Sequence, residues 1–187
     1  MGRPPTVETD LRRIYHLATR RRDESRRFLR WLKYGRRRTK RQVMELQVEL
    51  TNEVWAQIDC RECANCCAAM QLQLTAQDCV QAAKAVGLTT AEFQRRHAEK
   101  HRDGLWYLKA QPCLFLRDKQ CSIYLQRLSR CRGFPYLHSN VLDNMAGTLE
   151  KAAYCPIVFN VLERMKAHPE LQRNRRRSGG ARGAAAK

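Results

Sequence analysis

Nine cysteines are the side chains best suited to chemistry in this chain of 187 residues, and four of them, Cys60, Cys63, Cys66 and Cys67, fall within the single stretch DCRECANCC. Thiols so placed can frame a disulfide, act as a nucleophile or cage a metal. Separations of two intervening residues let successive side chains on a turn converge on one centre, and Cys60, Cys63 and Cys66 carry that spacing twice, the rhythm that opens bacterial ferredoxin cluster loops. Cys113, Cys121, Cys131 and Cys155 follow in a second turn-rich region. Tetrahedral zinc and a four-iron cluster each take about four thiolates, so these eight would suffice for two centres. Adjacent side chains of an extended segment point to opposite faces, so Cys66 and Cys67 are expected to face different centres; the alternatives are one centre plus an exposed thiol, or several cysteines that simply fill the core. Cys79 sits outside this rhythm at an inward helical position and is expected in the core.

Other groups compete less well. His97 and His101 have the i, i+4 spacing that can put two imidazoles on one ion, but HAEKH lacks the glutamate placement of HExxH and lies among Arg95, Arg96, Lys100 and Arg102, which favours a solvated helix face. His138 could complete a mixed site, though a surface loop is the expectation. Arg130 and Arg132 flank Cys131, where they could offset thiolate charge or simply meet solvent. No histidine or aspartate at a recognisable spacing marks a cysteine nucleophile, and no phosphate-cradling glycine loop is present. A catalytic residue is therefore not assigned.

Several elements must position the thiols. ETDLRRIYHLATRRRDESRRFLRWLKYG has helical periodicity with a break near Arg22 and Asp23, and Val43 to Ile58 predicts a second amphipathic helix that delivers the chain to Cys60. Thr75 is a candidate N-cap for a helix stopped by Gly87, and Thr89 with Glu92 has capping-box spacing for a helix running toward His101. LWYL, CLFL and CSIYL predict two or three short strands with a hairpin between Leu116 and Cys121. Pro156 suits the first position of a helix over IVFNVLERMK, which Pro169 ends. The final RNRRRSGGARGAAAK lacks the large apolar groups that offset chain-ordering entropy and is expected to be disordered.

The formal net charge of +18 is confined to the two ends: residues 1–41 hold 15 Lys or Arg against 4 Asp or Glu, residues 164–187 hold 8 against 1, and the stretch between is balanced. The ends could contact nucleic acid or the ribosome through phosphates, adhere to an anionic membrane or protein partner, or remain solvated. No apolar run approaches the roughly 20 residues of a spanning helix, and the arginine-rich start is unlike a signal peptide. A cytoplasmic protein is expected, a compartment where clustered cysteines are metal ligands or redox groups more often than disulfides. With 43% hydrophobic content, 187 residues should form one core and hardly two.

CRECANCC, LTAQD, GLTTAEF, PCLFLRDKQCSIY, CRGFP and CPIVFN together resemble the YkgJ-type cysteine cluster family, over about residues 54 to 166. That family typically has RP between the tyrosine and the next cysteine, where this chain reads YLQRLSRC with Leu128 in the proline position. The resemblance implies zinc, iron or iron-sulfur binding through Cys60, Cys63, Cys66, Cys67, Cys113, Cys121, Cys131 and Cys155. It supplies no reaction, although related cysteine modules occur in flagellin lysine methylases, which leaves an enzymatic role open. The expectation is a small α+β domain, mostly helical and metal-stabilised, with a short β-hairpin. Its divisions are a basic helical arm over residues 1–41, the cysteine-cluster domain over 42–167 and a disordered basic tail over 168–187. An iron-sulfur cluster is favoured over zinc by the ferredoxin-like rhythm and the excess of thiols over histidines, with redox, metal-handling or modification roles in view. The rival expectation is a zinc-stabilised adaptor that binds nucleic acid or the ribosome through its arginine-rich ends.

Overall fold

The computed structural model describes residues 6–35 and 38–172, and the expected tail beyond Gln172 lies outside them. Within these bounds the chain is mostly helical with a few short antiparallel strands. Helix α1 (Leu11–Arg20) starts at Asp10, whose carboxylate accepts the Arg13 amide at 2.8 Å. The break expected near Arg22 occurs at Arg21, and α2 (Arg22–Tyr34) continues beyond it. A full capping box between Thr39 and Gln42 opens α3 (Lys40–Trp55), the helix that carries the chain to the first cysteine. Two single turns, α4 (Cys60–Cys63) and α5 (Asn65–Ala69), hold the cluster loop.

Strand β1 (Gln73–Leu74) leads into α6 (Ala76–Ala85), where Thr75 and Asp78 form the capping box and Gly87, at a φ of +68°, turns the chain away. Helix α7 (Thr90–His97) opens on the Thr89–Glu92 box but stops at His97, because β2 (Ala98–Lys100) begins there and pairs with β3 (Trp106–Leu108). The sheet order is β1-β3-β2, antiparallel throughout. Next, β4 (Leu116–Arg117) and β5 (Gln120–Cys121) form the expected hairpin, with Leu116 opposite Cys121. Its two central residues, Asp118 and Lys119, both have positive φ, as a two-residue turn matched to strand twist requires. Helices α8 (Ser129–Gly133), α9 (Met145–Lys151) and α10 (Pro156–Ala167) complete the fold, with Pro156 at the first turn of α10. A 3-10 turn at Pro169–Leu171 buries Leu171.

The buried apolar side chains form two clusters, which corrects the expectation of one core. The first packs α2, α3, α9 and α10 around Leu29, Val43, Val54, Ile157, Val161 and Met165. The second lies between the three-stranded sheet and α6 and α7, around Leu74, Cys79, Phe93, Leu108, Phe115 and Leu128. Total apolar content cannot show this division, since it is set by which segments return to which neighbours. Buried amides tie distant segments together: Gln47 on α3 donates to the Leu137 and Ser139 carbonyls and accepts from the Val141 amide, each at 2.9 Å. Asn160 on α10 exchanges two hydrogen bonds with the backbone of Glu8. No buried side-chain polar atom among the described residues lacks a partner.

Candidate metal centre

The cluster loop is shaped before any ligand is considered. Asp59 caps α4 by accepting the Arg61 amide at 2.8 Å, and it also receives the Arg61 guanidinium, which lowers its pKa. Cys60 and Cys63 are three apart on that turn and so share a side of it. Ala64 then takes a left-handed conformation, φ 47°, and the chain enters α5 in a new direction with Cys66 and Cys67, which are helical neighbours about 100° apart and not the extended, opposite-facing pair expected. The loop is tied on both flanks. Asn65 donates its side-chain amide to the Tyr154 carbonyl at 2.7 Å, and the Cys113 amide donates to the Cys67 carbonyl at 2.8 Å.

Cys60, Cys63, Cys66, Cys67, Cys113, Cys121, Cys131 and Cys155 all line one cavity of about 1200 Å³. Cys79 does not; it is fully buried in the second cluster beside Gln94, as its inward helical position predicts. All nine cysteines are free thiols. Among the described residues, no three His, Cys, Asp or Glu side chains are gathered tightly enough to grip a single ion as they stand. What favours a metal is the donor set itself: eight soft sulfurs around one space, with no histidine in its wall among the described residues.

Burial dominates the thiol chemistry. It raises the pKa of Cys60, Cys113 and Cys121, and pushes Cys131 and Cys155 up to about 12. At Cys67 the hydrogen bond with Cys66 is the larger cause of the rise and burial the second. Backbone amides act in the opposite direction at three sites: Phe115 toward Cys113, Ile123 toward Cys121, and Val158 with Ile157 toward Cys155. Each of these thiols therefore has the N–H two residues onward available to a thiolate, a partner that stabilises negative sulfur.

A metal must displace protons from these raised thiols, so apparent affinity should climb as pH rises from about 6 to about 8, each binding event releasing protons. Titration in weakly buffered solution, followed by a pH indicator, checks this. Affinity that stays level across that range would mean that the thiols do not bind as thiolates.

The histidines and arginines fall differently from their sequence positions. Because α7 ends at His97, His97 and His101 do not share a helix face; His97 lies against Phe93, while His101 pairs with Glu99 at 2.8 Å and stacks on Tyr107. His138 lies near Tyr136 and outside the cavity wall. Arg130 turns to Gln73, whereas Arg132 lines the cavity and donates to the Arg127 carbonyl at 2.6 Å.

Sequence inspection passed over three cations of the cavity wall, Arg61, Lys119 and Arg127, and of these Arg127 is the one that acts on the thiols. It lies in the cavity wall over the Tyr124 ring, 4.1 Å from its centroid, and its charge lowers the pKa at Cys60, Cys67, Cys121 and Cys131. Its signal was the arginine preceding Leu128. Leu128 has φ −62° and ψ 157°, and Arg127 before it is extended, so the chain holds a proline-compatible backbone where the leucine stands.

Several cations of the N-terminal arm are engaged within the fold: Arg13 with Glu8, Arg21 with Glu163, Arg38 with Glu170 and Lys40 with Asp143. No helix among the described residues is long and apolar enough to cross a membrane.

Residues 59–156, more than half of the chain, match the model of the CxxCxxCC family, described as a "putative zinc- or iron-chelating domain". No curated protein and no solved structure matches the chain.

Proposed function

The chain belongs to the CxxCxxCC family, and from that footing we propose that it is a metal-binding protein that holds an iron-sulfur cluster through Cys60, Cys63, Cys66, Cys67, Cys113, Cys121, Cys131 and Cys155. The observation that carries this reading is the shared cavity: eight thiols separated by up to 95 positions in sequence line one space, and the ninth is excluded from it. A donor set dominated by thiols and without histidine, in a wall that also holds the carboxylates of Asp59, Glu62 and Asp118, suits iron-sulfur chemistry, which draws on thiolates where zinc sites often mix in imidazole. Bound there, the cluster would supply electron transfer, either to a partner or within a modification reaction.

The protein's own contribution is to hold thiolates in a partly buried space and to offset their charge. Backbone amides at Phe115, Ile123, Ile157 and Val158 and the Arg127 guanidinium serve the second task. Arg127→Gln should weaken metal retention by about 10- to 100-fold and move the reduction potential to more negative values, since the reduced, more negative centre loses more when a nearby cation is removed. Potentiometric titration and a chelator challenge measure both. Wild-type values for the two would assign Arg127 to the surface alone.

The deciding experiment is purification of the whole chain without oxygen, followed by iron, zinc and acid-labile sulfide analysis and a visible spectrum. Iron and sulfide in matched amounts with a brown chromophore would support the cluster. Zinc alone in a colourless protein would replace it with structural zinc. A folded protein that retains neither metal, and takes up neither on reconstitution, would end the metal-binding reading.

A further inference from the structure

We infer that the eight thiols divide into two centres of four, Cys60, Cys63, Cys66 and Cys155 in one and Cys67, Cys113, Cys121 and Cys131 in the other, with the Cys66–Cys67 peptide joining them. This rests on the metal-binding reading above and deepens it.

Packing separates the two groups. Cys155 belongs to the first hydrophobic cluster and Cys60 packs against it, whereas Cys113, Cys121 and Cys131 pack against the second. The cluster loop is fastened to each group at a different residue. Asn65, just before Cys66, is bonded to the carbonyl of Tyr154, just before Cys155. The carbonyl of Cys67 is bonded instead to the amide of Cys113. The loop's two flanks are thus held to different segments, one to the residue before Cys155 and the other to Cys113, and the change falls between Cys66 and Cys67.

The electrostatic neighbours follow the same line. Cys155 feels Cys60 and Cys63, and Tyr154 feels Cys155 and Cys66. Cys131 feels Cys113, Cys67 and Cys121. Cys66 and Cys67 are consecutive residues and Cys67 feels Cys66, so the two sets abut. Four thiolates per set is the number that a tetrahedral ion or a four-iron cluster takes. The sets are also unequal in access: the first includes the buried Cys155, whereas all four members of the second are only half-buried. They should therefore load at different metal concentrations.

The test uses the full chain, reduced and metal-free, titrated with zinc alone under nitrogen. At each addition the remaining thiols are alkylated and every cysteine is read by peptide mass spectrometry, while native mass spectrometry counts the ions. The expected result is two ions per chain, with protection rising in two blocs of four, one containing Cys155 and the other Cys131, and with Cys79 indifferent to metal. A Cys155→Ser chain should then bind one ion and retain the Cys67, Cys113, Cys121 and Cys131 bloc. The wild-type footprint stands even where that variant fails to fold.

A single bloc of eight, or a bloc that pairs Cys155 with Cys113, would overturn the division while leaving metal binding intact. If neither zinc nor iron with sulfide protects any cysteine, the metal-binding reading falls and the division falls with it.

Discussion

Chelating the metal from loaded protein is expected to melt the second cluster while the first remains folded. The second cluster has ten buried members, three of them alanines and one Cys79. Its sheet has strands of two and three residues, too short to be stable unaided. The first has eighteen buried members around α3 and α10, helices of sixteen and twelve residues. Cys113, Cys121 and Cys131 pack directly against the weaker cluster, so binding energy on the order of 10 kcal/mol, the scale of structural thiolate sites, acts mostly there. Hydrogen exchange before and after chelation reads this residue by residue. Amides of α6, α7 and β3 should lose protection by several orders of magnitude while those of α3 and α10 lose little. Equal loss in both clusters would show a single cooperative unit, and no loss in either would remove the metal from the folding account.

The largest effect of a single substitution away from the thiols is expected at Asp78. This carboxylate is buried and accepts four hydrogen bonds: from the Thr75 amide at 2.9 Å and hydroxyl at 2.8 Å, and from the Ser129 amide at 2.7 Å and hydroxyl at 2.5 Å. One group therefore caps α6 and opens α8, the turn that bears Cys131. Asp78→Ala should cost about 3 to 4 kcal/mol, because the Ser129 donors and the Thr75 amide are left without their acceptor. Denaturant unfolding measures that, and metal uptake by the variant should falter at Cys131 before Cys155.

Burial on its own would raise the Asp78 pKa, but the Ser129 and Thr75 hydrogen bonds outweigh it and leave the group below the usual carboxylate value. A depressed carboxylate contributes stability that is present above its unfolded pKa, about 3.9, and is lost as pH falls through the folded value. Asp78→Asn should therefore flatten the acid limb of the stability profile. An acid limb of unchanged steepness would place that dependence on other carboxylates.

Much of this arrangement was legible in the chain because local rules govern it. The caps at Thr75 and Thr89, the Gly87 stop, Pro156 at a helix start and the hairpin between Leu116 and Cys121 are each decided within a few residues, and each forms as read. The metal-chelating character was legible from thiol spacing and family resemblance. Other features depend on long-range return of the chain. The split into two clusters is one, and so is the end of α7 at His97, where pairing of β2 with β3 wins over continued helix. Arg127 was passed over in favour of Arg130 and Arg132 because adjacency to Cys131 in sequence is not adjacency to sulfur. The amides of Phe115, Ile123 and Ile157 carry no side-chain signature at all, since any residue supplies an N–H.

Ala64 has a consequence for the speed of assembly. A left-handed alanine costs about 1 kcal/mol more than glycine would in the same conformation, yet glycine would widen the range of shapes open to the loop before it closes. The bend is therefore held against alanine's own preference by the loop's two ties, Asn65 to the Tyr154 carbonyl and the Cys67 carbonyl to the Cys113 amide. Among the described residues no three thiols yet stand close enough together to grip an ion, so assembly is paced by the movement that draws them in and not by encounter with the ion.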